Sequence, residues 1–325
     1  MIAYLIRRLL YALPILLGVN LLTFALFFGV SSPDDMARIH LGGKRVTAEA
    51  VARWKTQHGY DLPNFYNAAG EGADRVTQTL FVQKSLNLFT LDFGTADDGR
   101  DIAREIGKRM WPSLAVALPT FLLGLAVYLA TALFLVFFRN TALDTVGVVF
   151  LVALMSISGL FYVIGGQVLL AKWWQWAPIS GYAPGLAGLQ FLFLPVLIGV
   201  VSGIGDSSRF YRALFLEEAG RDYVRTAHAK GLHPVRVLFR HILGNAAIPI
   251  LTGVVVVIPR LFLGSLILES FFGIPGLGSY TIDAIQAQDF AIVRGMVFLG
   301  SLLYIVGLTL TDLSYAWVDP RVRLQ

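Results

Sequence analysis

Cysteine is absent from the 325 residues. Disulfides, thiolate metal sites and cysteine nucleophiles are therefore excluded, and the absence is silent about compartment. Charge is scarce: 14% of residues are Asp, Glu, Lys or Arg, against 56% hydrophobic, and mean hydropathy is +0.67. A soluble domain carries about 25% charged and about 45–50% apolar residues. Both departures point to lipid as the solvent.

Signatures of catalysis are missing as well. A P-loop needs Gly-Lys followed by Ser or Thr to hold nucleotide phosphate and magnesium. Gly43-Lys44 and Gly107-Lys108 are each followed by Arg. Neither HExxH nor GxSxG occurs. His228, His233 and His241 are neighbours in sequence, but their spacing fits no standard metal site and no acid completes one. The expectation is a non-enzyme with no catalytic residue, no metal site and no means of using ATP itself.

What is present is a series of long apolar runs. A bilayer core takes about 20 apolar residues of helix. Leu9–Val30, Trp111–Phe138, Thr145–Ala171, Gly188–Gly205 and Gly295–Thr311 are free of charge, and Leu243–Phe272 includes Arg260 and Glu269. The reading is an all-α, polytopic membrane protein with six transmembrane helices. The first run is too long for the roughly 7–15 apolar residues of a signal peptide, and Ser31-Ser32-Pro33 is no clear cleavage site, so it is expected to stay as an anchor. Pro14, Pro119, Pro195, Pro249 and Pro259 fall inside spans. Such positions are tolerated where neighbouring helices or a cavity satisfy the freed backbone. Gly199 and Gly203 form a GxxxG step suited to close helix approach.

Lys and Arg in the short loops set the orientation. With the N-terminus in the cytoplasm, the inside holds twelve of them, seven in the loop after the fourth span, and the short outside segments hold only Lys172 and Arg294. Both termini are thus expected inside, with residues 206–242 as a cytoplasmic loop. Residues 31–110 form an extracytoplasmic region. Within it, Thr47 caps a local helix over Thr47–Gln57 with Glu49 in its first turn. Ile102, Ile106 and Met110 line up opposite Arg100, Arg104 and Lys108, which reads as a short amphipathic helix at the membrane interface, or as a plain solvated helix. Residues 1–30 then hold the cytoplasmic tip and first span, and 111–325 a five-helix core.

The basic stretch GRDYVRTAHAKGLHPVRVLFRH, Gly220 to His241, needs its own account. Asp222 suits an N-cap for a helix Tyr223–Lys230, Gly231 a left-handed C′ position, and Pro234 the first residue of a second helix. Helices under about 12 residues are marginal alone, so packing must hold this one. Small Ala227 and Ala229 favour close approach. A groove in another protein, or a mere connecting elbow, suits the pattern equally. Binding to nucleic acid is set aside, because the positive-inside rule already explains the charge.

Pro259-Arg260 is the other unusual pair. Arg260 is the eighteenth residue counted from Leu243, deep in span five, where it must snorkel outward, pair with an acid, or face a water-filled cavity such as a translocation pathway; Glu269, nine residues on, is too far for an i, i+4 pair.

Asp222-Tyr-Val-Arg-Thr-Ala-His-Ala-Lys-Gly231 resembles the cytoplasmic signature loop of the permease subunits of bacterial ABC importers, specifically the oligopeptide/dipeptide permease family. Arg225, Thr226 and Ala227 stand at the Glu-Ala-Ala positions of the broader consensus, and Gly231 at its Gly. The downstream Ile-x-Leu-Pro is imperfect, with His241 at the Ile position and Gly244 at the Pro. The first 24 residues are similar to this family's first span. Leu91–Thr95, with Phe93 and Gly94, is similar to a motif ending its first periplasmic loop. Phe271–Gly295, with Pro275, Gly276, Leu277 and Gly278, is similar to the segment before its last span, and Asp319–Arg323 to its C-terminus. Tyr60–Asn87 matches least.

The resemblance implies an inner-membrane permease subunit of a peptide importer. Asp222, Tyr223, Arg225, Thr226, Ala227, Ala229, Lys230 and Gly231 would form the coupling helix. The implied partners are a second, homologous permease, two cytoplasmic ATPase subunits that hold ATP and Mg, an extracytoplasmic solute-binding protein, and the bilayer. No cofactor is expected on this chain. Two other classes stay in view: a secondary transporter driven by an ion gradient, and a membrane scaffold without transport.

Overall fold

The computed structural model describes residues 2–30, 32–42 and 46–318. Ser31, Gly43-Lys44 and the Asp319–Arg323 motif lie outside the described residues. The chain runs α1 (Ile2–Val30), α2 (Pro33–His40), α3 (Ala48–His58), α4 (Asp74–Thr77), α5 (Leu80–Ser85), a 3-10 segment Leu86–Thr90, then α6 (Ile102–Phe137), α7 (Ala142–Met155) and α8 (Gly159–Gly166). A π-helical turn Gln167–Trp173 extends α8, and a short 3-10 turn Gly185–Gly188 leads into α9 (Leu189–Ala219). There follow α10 (Asp222–Ala229), α11 (Pro234–Val237), a π-helical segment Leu238–Leu243, α12 (Gly244–Leu261), α13 (Leu266–Phe272), α14 (Leu277–Ala287) and α15 (Phe290–Val318). The described residues hold no strand, only an isolated bridge between Thr95 and Asp101.

Five helices are long and apolar enough to cross a membrane, and α7 with α8, bent by 87°, makes a sixth when counted as one span. The break is not where a proline would put it. Helices α1, α6, α9 and α12 run unbroken through Pro14, Pro119, Pro195, Pro249 and Pro259. The third span instead breaks at Ser156–Ser158. There Ser156 Oγ donates to the Val152 carbonyl (2.8 Å), and Tyr162 Oη donates to the Leu154 carbonyl (2.7 Å). Both carbonyls also keep backbone donors, Ser156 N–H on Val152 (3.1 Å) and Ile157 N–H on Leu154 (3.2 Å), and the Tyr162 hydroxyl adds a tie across the bend.

The basic amphipathic stretch before span two is helical and leads straight into it, since α6 is continuous from Ile102 to Phe137. Two further expectations are corrected. The segment taken as loop from residue 206 is helical as far as Ala219, because α9 runs on past its apolar part. The fifth span is built from Pro234–Leu261 and stops there; Phe262–Ser265 turns the chain and Glu269 belongs to the separate α13.

Two compact units emerge. One comprises residues up to Arg109 with Tyr280–Thr309. Its core packs Phe24 of α1 with Met36 and Ala37 of α2, Val51 and Trp54 of α3, Tyr60, Leu80 and Phe290. Aromatic edges dominate it, such as Phe27 on Phe290 at 3.8 Å between ring centroids. Helix α3 starts as expected, with Thr47 Oγ1 accepting the Ala50 N–H at 3.3 Å.

The other unit comprises Met110–Ser279 with residues from Leu310. Two apolar clusters hold it. The first joins Val116, Val163, Leu194, Ile198, Phe272 and Ile274. The second joins Ala132, Val136, Phe215, Ala219, Val224, Ala227, Val237 and Ile242. The GxxxG step does bring helices together: a Cβ on Gly199 would meet Thr120 Cγ2 at 2.7 Å, and one on Gly203 would strike the Tyr128 ring. Tyr128 Oη uses that approach to donate to the Val200 carbonyl at 2.9 Å.

Candidate functional site

Helix α10 has eight residues, about 12 Å at 1.5 Å per residue, too short to persist alone. Two devices hold it. Val224 and Ala227, at i and i+3, are buried in the cluster with Phe215, Ala219 and Val237. The C-terminus is closed by a Schellman pair: the Gly231 N–H donates to the His228 carbonyl (2.9 Å) and the Leu232 N–H to the Ala227 carbonyl (3.3 Å). Gly231 takes φ +74°, the left-handed geometry expected of it. His233 then caps α11, its Nδ1 accepting the Val235 N–H at 3.4 Å, with Pro234 at the first helical position.

The N-terminus departs from expectation. Asp222 is the first helical residue rather than the cap; Arg221 stands in the capping position and makes no side-chain cap. Asp222 keeps a dipole role there, with a carboxylate in the first turn, and pairs with Arg225 Nη1 at 3.5 Å. Thr226 Oγ1 donates back to the Asp222 carbonyl at 3.0 Å. Tyr223 Oη donates to a Glu218 carboxylate oxygen; burial first, and then that carboxylate, push the phenol up to about 12.

With Val224 and Ala227 turned inward, Asp222, Tyr223, Arg225, Thr226, Ala229, Lys230 and Gly231 are exposed. Ala227 is thus an anchor of the helix and not part of the presented face. The rest form a small, mostly polar outward surface, with two basic residues and one acid, on a helix locked to the ends of α6, α9 and α12. Close behind it, Arg212 of α9 grips Asp144 of α7 through Nε (3.0 Å) and Nη2 (2.8 Å to each carboxylate oxygen).

At α13 the residues Pro275, Gly276, Leu277 and Gly278 acquire a physical reason. Glu269 is fully buried (0% exposed), and the loop wraps its carboxylate. Oε1 accepts the Ser265 N–H (3.1 Å); Oε2 accepts those of Gly278 (2.7 Å) and Ser279 (3.1 Å). The Ser113 hydroxyl bonds to Glu269 as well, and accepts the Leu277 N–H at 2.7 Å. Burial pushes the carboxyl above the usual carboxylate range, and these donors pull the other way. Gly276 sits so close that a Cβ would collide with the carboxylate. Glu269 is the organising residue that sequence reasoning missed. Its available signal was an acid followed, after four residues, by the N–H-rich run Ile274-Pro-Gly-Leu-Gly-Ser279.

Pro259 is buried and Arg260 is exposed, in the last turn of α12. Arg260 is therefore at a helix end rather than in mid-span, and the Glu269 oxygens are committed elsewhere. Phe93 is buried in the first unit, where Gly94 receives the Ile102 N–H at 3.1 Å.

Comparison with known proteins agrees in both units. The family described as "Binding-protein-dependent transport system inner membrane component" matches residues 109–324, and its N-terminal counterpart matches residues 1–68. A protein of Brucella abortus assigned to a peptide transport system as its permease is 32% identical over 99% of both chains. A glutathione transport system permease protein of Salmonella typhi is 30% identical, again over 99% of both. An oligopeptide transport system permease protein of Bacillus subtilis is 26% identical over 99% of this chain and 100% of its own. The chain belongs to the family of binding-protein-dependent transport system inner membrane components.

Proposed function

We propose that this inner membrane component is the permease subunit of an ATP-driven ABC importer for peptides or peptide-like solutes. The observation that carries the mechanism is α10: a short helix too small to stand alone, rigidly anchored, with an outward polar face. That is the geometry of an element that receives force from a partner. In this reading α10 docks in a groove of a cytoplasmic ATPase subunit, which supplies ATP and Mg. Asp222, Tyr223, Arg225, Thr226, Ala229, Lys230 and Gly231 meet the ATPase, and Ala227 passes its motion to the spans. A partner that favours one of two membrane states biases the equilibrium between them.

A second, homologous permease completes the pathway, two ATPases power it, and an extracytoplasmic solute-binding protein delivers the solute. The names of the three relatives, for peptide, glutathione and oligopeptide, support the substrate class. The excess of Lys and Arg in the short segments on the α10 side supports cytoplasmic termini. Arg260, with Pro259 behind it, lines the outer part of the pathway and meets solute carboxylates or carbonyls. The Gly-rich turn at Pro275–Gly278 and the Phe93-Gly94 motif lie on the extracytoplasmic side.

Reconstitution in proteoliposomes with the partner subunits tests the reading. Uptake of a labelled peptide should need both ATP and the binding protein, and Arg225→Glu should abolish it while leaving the permease folded. Uptake that follows an imposed ion gradient without ATP would establish the secondary-transporter reading instead.

A further inference from the structure

In the unit formed by residues up to Arg109 with Tyr280–Thr309, a polar cavity of about 300 Å³ is lined by Lys84, Arg294, His58, Tyr60, Asn87 and Asp97, among others. Its volume lies at the small end of ligand pockets, about 300–1,000 Å³. Two cations share it, and among the described residues no acid pairs with either. Lys84 Nζ donates to the His58 carbonyl (2.7 Å) and lies 5.0 Å from the centre of the Tyr60 ring, which leaves two of its three donors unused among the described residues. The Arg294 guanidinium makes no hydrogen bond or ion pair among the described residues, and its Nε is buried without a partner. Desolvation, and then the charge of Arg294, hold the Lys84 ammonium below the usual lysine range.

The charge of nearby Asp97 offsets this only in part, since Lys84 stays below its usual range. Asp97 is occupied: its Oδ2 lies 2.9 Å from His40 Nε2, and its backbone N–H donates to Asp289 Oδ2 at 2.8 Å. Two withdrawn like charges are costly unless an acceptor joins them, and a guanidinium fork is shaped for a two-oxygen acceptor. The carboxylate of Asp92 on the same wall offers an acceptor for an ammonium group, and Asn87 offers an amide.

We infer that this cavity is a binding site for a small zwitterionic carboxylate, the size of an amino acid or dipeptide, held by Lys84 and Arg294. The site is lined in part by Phe93 and Gly94 but lies apart from α10 and Pro259-Arg260, so binding rather than uptake is its readout, and it does not rest on the peptide-import reading.

The test uses the full permease assembled with its partner subunits in nanodiscs, without nucleotide or binding protein. Equilibrium binding of radiolabelled L-alanyl-L-alanine should be saturable. Lys84→Gln and Arg294→Gln should each weaken it by about tenfold or more, the scale of a lost charged hydrogen bond. Lys84→Arg, which keeps the charge, should bind within about threefold of wild type, so that loss in Lys84→Gln is assigned to charge and not to folding. The C-terminal amide of the dipeptide should bind at least about tenfold more weakly. Binding that both Gln variants leave unchanged, no saturable binding at all, or binding of inorganic phosphate with none of the dipeptide would each overturn the assignment.

Discussion

Arg212 and Asp144 form a bidentate pair between α9 and α7, with all three contacts at 2.8–3.0 Å and side-chain exposures of 20% and 12%. The pair fastens the third span to the helix that leads into α10. Removing one partner strands the other in a dry site. Asp144→Asn or Arg212→Met should therefore cost about 2–3 kcal/mol, less than the about 3–5 kcal/mol of a fully buried pair. The double change Asp144→Leu with Arg212→Met should recover much of that loss. Thermal melting of the purified protein provides the check, and equal melting of single variants and wild type would remove the pair's structural role.

Glu269 should hold its loop through acceptors alone. Glu269→Gln places an N–H₂ group against backbone donors and forfeits one or two charged hydrogen bonds, each about 1.5–3 kcal/mol. Amide exchange at Gly278 and Ser279 should accelerate at least tenfold, while exchange in α10 stays as it was. Unchanged protection at Gly278 would show that Glu269 does not hold the turn.

Gly231 separates backbone conformation from bulk. A Cβ there would meet nothing within 4 Å, so only its φ of +74° opposes a side chain. Asn tolerates that region, and a β-branched residue pays about 1–2 kcal/mol. Gly231→Asn should thus transport near the wild-type rate, while Gly231→Val should lose peptide-stimulated ATPase activity in reconstituted vesicles. Equal activity of the two variants would divorce the left-handed cap from coupling.

The absence of cysteine makes one topological experiment free of background. His233 is exposed at the turn between α10 and α11. A single His233→Cys should react with a membrane-impermeant maleimide in inverted vesicles and stay unlabelled in intact spheroplasts. Labelling in spheroplasts would reverse the proposed orientation.

The parts legible in the sequence are those where neighbours in the chain decide the outcome. Thr47 caps α3, Gly231 closes α10, and Pro234 opens α11, because caps depend on a few adjacent residues. Long apolar runs located the spans for the same reason. What escaped depends on distant partners. The bend at Ser156–Ser158 carries no proline; it is tied by Tyr162, whose hydroxyl reaches back across it to the Leu154 carbonyl. Glu269 read as a stray acid at a span's end, since Ser113, more than 150 residues away, is part of what surrounds it. Val224 and Ala227 share one face at helical spacing, but which face was turned inward depended on α6, α9 and α12.

The π-helical segment Leu238–Leu243 has a mechanical consequence. It carries a wider turn between α11 and α12, so the phase of the elbow relative to the fifth span differs from that of an unbroken α-helix. Each residue of α-helix turns the chain by about 100° and advances it about 1.5 Å. Deleting one residue there would convert the joint to ordinary helix with hardly any change in length. The angle would hardly change either, because a π turn spreads one extra residue over nearly the same rotation; straightening the segment with every residue kept would swing the elbow around the axis of the span by about a quarter turn. In the proposed coupling the segment is a keyed shaft: it sets the angle between the elbow and the fifth span, independently of how firmly the elbow is gripped.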